Sequence, residues 1–168
     1  MEKFNHIELN NEVTKRGDNG FFKLEKDQEA IAEFLREVDY RTVKFSSEMK
    51  RLRYLVEENF YYNIFDKYIE DEIVECLELA KNFKFEFKSY MAASKFYKDY
   101  ALKTNDKKQY LENFNQHVFI VAMYLGDGNT ALAKELMIAM LEQRLQPATP
   151  TFLNSGRSRR GELVSCFL

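Results

Sequence analysis

The stretch YLENFNQHVFIVAMYLGDGNTALAKELMIAML, Tyr110–Leu141, decides the fold class. Tyr110, Phe114, Val118, Val121 and Leu125 recur at steps of three and four, the spacing that gathers side chains on one face of a helix. Asp106 is the expected cap in front of them. Gly126-Asp127-Gly128-Asn129 then interrupts the pattern. Glycine tolerates the left-handed backbone that ends a helix, and an Asn side chain accepts from the free N–H groups that open the next. Leu132, Leu136, Met140 and Leu141 resume the helical spacing. The stretch predicts a tight helical hairpin and a mainly α chain.

Upstream the same period continues. Leu52, Leu55, Val56 and Phe60 fit a helix after Ser46-Ser47. Ile69, Ile73, Cys76, Leu77 and Ala80 fit another, and Ser89 is the expected cap of a third that carries Tyr90, Ala93, Phe96, Tyr97 and Tyr100. Nearer the start the pattern changes. HIELN, residues 6–10, alternates apolar and polar, and Gly17-Asp18-Asn19-Gly20 sits between two short apolar segments. These features predict an N-terminal β-hairpin. Asp27 then opens a helix with Ile31, Phe34, Leu35 and Val38 on one face.

Downstream the helical pattern stops at Gln146. Pro147 and Pro150 follow, and the residue before a proline is pushed out of helix. TPTF is read as a stiffened loop, and ELVSCFL, residues 162–168, as a buried strand.

Composition narrows the function classes. With 45% hydrophobic residues, 15 Phe and 10 Tyr, the chain buries enough surface to fold. A net charge of −2 offers no field for nucleic acid, and no apolar run is long enough to span a bilayer. The N-terminus lacks the order of a secretory signal, and two distant cysteines make no disulfide framework, so a cytoplasmic setting is expected.

The candidate chemistry is sparse. Cys76 falls on an apolar helix face and reads as a packed thiol. Cys166 fits a core strand residue, or a redox thiol whose partner lies outside this chain. Thr149 and Thr151 bracket Pro150, an arrangement that suits either an ordinary turn or a phosphate loop. Arg157, Arg159 and Arg160 read as a solvated basic loop or an anion guide. GDG follows a helix, whereas a dinucleotide fingerprint follows a strand. His6 and His117 lack metal-ligand spacing, and His117 reads as a hydrogen-bonded core residue. The aromatic run NFYYNIF, residues 59–65, reads as core.

QPATPTFLNSGRSRRGELVSCFL at 146–168 resembles the large, catalytic subunit of ribonucleotide reductase, class Ib. FKSYMAASKFYKDYALKTNDKK at 87–108, YLVEENFYY at 54–62 and LNNEV at 9–13 extend the likeness over nearly the whole chain. The resemblance implies three segments: 1–40, a truncated ATP-cone-like unit of hairpin plus helix; 41–145, the helical domain; and 146–168, the incomplete start of the catalytic ten-stranded α/β barrel, ending in its first strand. It implies reduction of ribonucleoside diphosphates for DNA synthesis by thiyl-radical chemistry. Cys166 matches the first cysteine of the redox-active pair, and Thr149 and Ser165 match substrate contacts, Thr149 to the diphosphate. No cofactor is implied on this chain. A small subunit with a dimanganese or di-iron tyrosyl radical is the implied partner, with a thioredoxin- or glutaredoxin-like reductant. The radical cysteine and the second cysteine of the pair lie outside this sequence. The expectation is therefore a split gene, with the remainder of the large subunit on a second polypeptide and an isolated chain that is inactive. The alternatives are a non-catalytic helical interaction domain and a decayed remnant.

Overall fold

The computed structural model describes residues 4–159 and 161–164. Among the described residues there are eight α-helices and no strand, only isolated β-bridges. The chain forms two compact units, Met1–Val43 with Glu86–Asn113, and Lys44–Phe85 with Phe114–Leu168.

The first unit holds α1 (His6–Val13), α2 (Glu25–Tyr40) and α5 (Tyr90–Lys95), which runs on into a π-helical turn, Phe96–Tyr100. Its core is aromatic. The Phe34 ring meets Tyr90 at 5.7 Å and Tyr97 at 5.9 Å, and Tyr97 meets Tyr110 at 5.2 Å. Ala30, Ile31, Val38, Ala93 and Leu111 fill the space around them.

The expected N-terminal hairpin is not what these residues form. HIELN is the opening of α1. Five alternating residues cannot separate the two periods, and here Ile7 is left 62% exposed while His6 turns inward. The turn at 17–20 does form, with Gly17 N–H donating to the Phe21 carbonyl, but only one antiparallel bridge, Arg16 to Phe22, accompanies it. The Asp106 cap is also corrected. Residues 101–113 are not helical, and Asp106 closes a turn by accepting from Thr104 Oγ1 and Lys108 N–H. The backbone around Tyr110 is engaged instead with Arg41 and Val43, which holds it out of helix. Asp27 lies inside α2 and accepts from Tyr90 N–H, 63 residues away.

The second unit holds α3 (Glu48–Glu57), a 3₁₀ turn (Ile64–Asp66), α4 (Glu70–Asn82), α6 (Phe114–Gly126), α7 (Thr130–Leu141) and α8 (Thr149–Asn154). Ser47 caps α3, Ser89 caps α5 and Asn129 caps α7, each accepting from the N–H three residues on. α6 is the central element, buried continuously from His117 to Met123. A polar solvated face is missing because α4 and α7 both pack on it. The hairpin predicted from GDGN is present. A Cβ on Gly126 would stand 2.9 Å from the Ala133 Cβ and 2.7 Å from the Tyr68 hydroxyl, so glycine sets how closely α6 and α7 approach. Cys76 is fully buried, as expected.

Among the described residues no barrel strand is seen. TPTF is the first part of α8 rather than a loop, with Pro150 in its first turn, where a missing N–H costs nothing. Described residues 161–164 are not in a strand. Arg160, Ser165 and Cys166 lie outside the described residues.

Candidate functional site

The site is built on α8 and the turn after it. Ala148 N-caps the helix, and Thr149 opens it, exposed to solvent. Phe152 points the other way, into the core. Its ring lies edge-on to His117, 4.5 Å between centroids, and 6.2 Å from Phe114. Thr151 Oγ1 donates to the Leu163 carbonyl at 2.9 Å, and Asn154 Nδ2 donates to the Glu162 carbonyl at 2.9 Å. The described part of the ELVSCFL segment is thereby tied back to α8.

Gly156 ends this short helix with φ +75°, and its backbone lies against α6. A Cβ there would meet Ile120 Cγ1 at 2.6 Å and the Ile120 carbonyl at 2.9 Å. The next residues are sewn to the NFYYN segment. Tyr62 N–H donates to the Gly156 carbonyl, Ser158 N–H donates to Phe60, and Arg157 forms an antiparallel bridge with Tyr61.

Arg157 departs from the solvated loop expected of it. It is 7% exposed, its guanidinium lies over the Tyr61 ring at 5.3 Å, and Nη2 is 2.9 Å from His117 Nδ1. His117 Nε2 is 2.8 Å from the Phe152 carbonyl. His117 is thus the hydrogen-bonded core residue that the sequence suggests. Arg159 is exposed. A second guanidinium, Arg51, lies 6.0 Å from the same Tyr61 ring and donates from Nε to Glu48 at 3.0 Å. Burial works against its charge, yet Tyr61 and Glu48 outweigh burial and raise its pKa above the ordinary value. Its two terminal nitrogens and the Ser155 hydroxyl are buried with no hydrogen-bond partner among the described residues.

Of the sequence candidates, the structure brings Thr149 and Thr151 into one helical turn and separates Arg157 from Arg159. Sequence reasoning missed Arg51 and the pairing of His117 with Arg157. An Arg on a helix reads as solvated, and nothing local announces a partner 40 residues away. Cys76 is fully buried, and burial pushes its thiol pKa up. No helix among the described residues is long and apolar enough to cross a membrane.

Two family models match the chain. Ribonucleotide reductase N-terminal covers residues 6–85, and the ribonucleotide reductase all-alpha domain covers 86–160. Among curated proteins, the ribonucleoside-diphosphate reductase subunit alpha of Bacillus subtilis (strain 168) is 48% identical over 164 residues, 96% of this chain and 23% of that protein. The NrdEB subunit alpha of the same organism is 46% identical over 166 residues, 98% of this chain and 15% of that protein. The subunit alpha of Mycoplasma pneumoniae is 40% identical over 165 residues, 97% of this chain and 22% of that protein. The chain therefore spans between 15% and 23% of the length of these relatives. Matched by both family models in succession, the chain belongs to the ribonucleotide reductase family, in the N-terminal and all-alpha domains of the large subunit.

Proposed function

We propose that this chain is the N-terminal part of a class Ib reductase that converts ribonucleoside diphosphates to deoxyribonucleoside diphosphates, acting with the rest of the large-subunit sequence. The observation that carries the reading is the succession of the two family matches over residues 6–160, with α8 presenting Thr149 at their end. An exposed hydroxyl at the start of a helix fixed to the core suits a contact to the substrate diphosphate. Ser165 is a second substrate contact, and Cys166 is one thiol of the redox pair.

In that chemistry a thiyl radical on a cysteine elsewhere in the subunit first takes a hydrogen from the ribose. The pair then supplies two electrons and two hydrogens. The 2′-hydroxyl leaves as water, the 2′ carbon gains hydrogen, the two thiols close into a disulfide, and the hydrogen first taken returns to the ribose, which restores the thiyl radical. A thioredoxin- or glutaredoxin-like dithiol reopens it. The radical comes from a partner small subunit with a dimanganese or di-iron centre.

Replacing Cys166 by Ser in the assembled enzyme tests the reading. Multiple turnovers with the dithiol reductant are expected to vanish while the complex still assembles on a sizing column. Undiminished turnover would remove Cys166 from the reaction.

A further inference from the structure

We propose that His117 and Arg157 are positioning residues for the turn that presents Thr149. The proposal rests on the reading of Thr149 as a phosphate contact. A guanidinium carries only donors, so the short contact from Arg157 Nη2 makes His117 Nδ1 an acceptor. The ring proton then sits on Nε2, which donates to the Phe152 carbonyl. One tautomer satisfies both bonds. It is fixed by a cation that stacks on Tyr61 and is held at the backbone by the Tyr61 bridge.

The geometry fixes α8 from its far end. The helix is six residues long, too short to persist by its own hydrogen bonds. Its register depends on what grips it. Thr149 faces solvent at the first turn, while Phe152, three positions on, is gripped twice by His117, by ring contact and by hydrogen bond. His117 itself is fully buried and opens the enclosed run of α6 that reaches Met123. A side chain in the core thus sets the place of an exposed residue at the other end of the helix. Arg157 holds the His ring in the tautomer that this grip needs.

Glutamine separates the role from mere filling of space. Its amide can donate to Phe152 and accept from Arg157, as the ring does, whereas Leu can do neither. Hydrogen exchange of the full 168-residue chain reads the grip at the Phe152 and Ser155 amides, which close α8 onto Ala148 and Thr151. H117L is expected to lower their protection about tenfold or more, with α2 amides unchanged, and H117Q to retain it. Should H117L not fold, H117N carries the same expectation, being polar but too short to reach both partners. In the assembled enzyme, H117L or H117N should raise KM for a nucleoside diphosphate about tenfold and change kcat less, with H117Q close to the parent.

Unchanged protection at Phe152 and Ser155 in every variant would overturn the proposal, as would equal impairment of H117Q and H117L with both folded. Thr149→Ala tests the underlying reading separately. An unaltered KM in that variant would sink the phosphate contact, while the exchange result would still report on the grip.

Discussion

Gly156 and Tyr97 show what single residues carry. At Gly156, φ +75° is a conformation that costs an L-residue about 1–2 kcal/mol, and the space a Cβ needs is already taken by Ile120. Overpacking adds about 1–3 kcal/mol. Gly156→Ala is therefore expected to destabilise the second unit by about 2–5 kcal/mol, read as a lower urea midpoint with the slope unchanged. At Tyr97, burial first, and then the charge of Glu112, push the phenol well above its ordinary 10.0. The folded state keeps its proton where the unfolded chain has lost it. Stability from this group is complete below pH 10 and falls as pH rises above it, by up to about 1.4 kcal/mol per pH unit. Tyr97→Phe should flatten the alkaline fall in stability relative to the parent, and parallel curves from pH 9 to 11 would show that the phenol is not held neutral. The glycine itself was visible in the sequence, beside the basic run. Its neighbour on α6 was not, because close packing between distant residues leaves no mark in local spacing.

The helices were legible where their signals are local. Ser47, Ser89 and Asn129 each bond the N–H three residues on, a relation contained within four residues of sequence. Asn129→Ala should cost about 1 kcal/mol, measured by thermal unfolding, because it removes the side chain that accepts from Leu132 N–H. The reading failed where the decisive partner is remote. Asp27 looked like a cap for its own helix and instead bonds the first backbone amide of α5. HIELN looked like a strand, yet it opens α1, and its His bridges Glu37 and Tyr90, both at 2.8 Å. The candidate site divides in the same way. Thr149 stood out through its proline neighbour, whereas the basic run split into one buried guanidinium and one exposed, a distinction that depends on Tyr61 and His117.

At the scale of the molecule the chain crosses between its two units at 43/44, 85/86 and 113/114. The family-model boundary at 85/86 coincides with one of these crossings, but neither stretch flanking it completes a unit. Residues before 44 need residues after 85: Asp27 bonds Tyr90 N–H, His6 bonds the Tyr90 hydroxyl, and Phe34 packs on Tyr97. Residues 44–85 need those after 113: Asn115 Nδ2 donates to the carbonyls of Ala80 and Phe83, and Phe85 stacks on Phe114 at 3.8 Å. Cutting there divides both cores at once and exposes part of α6, which is buried from His117 to Met123. A fragment of residues 1–85 is therefore expected to lack a cooperative thermal transition, and 86–168 to aggregate. Mixed at equal concentration from denaturant, the two should recover the near-ultraviolet signal of the Tyr-rich core. If 1–85 melts cooperatively alone, the units are not built from paired segments, and the crossings at 43 and 113 carry no energetic weight.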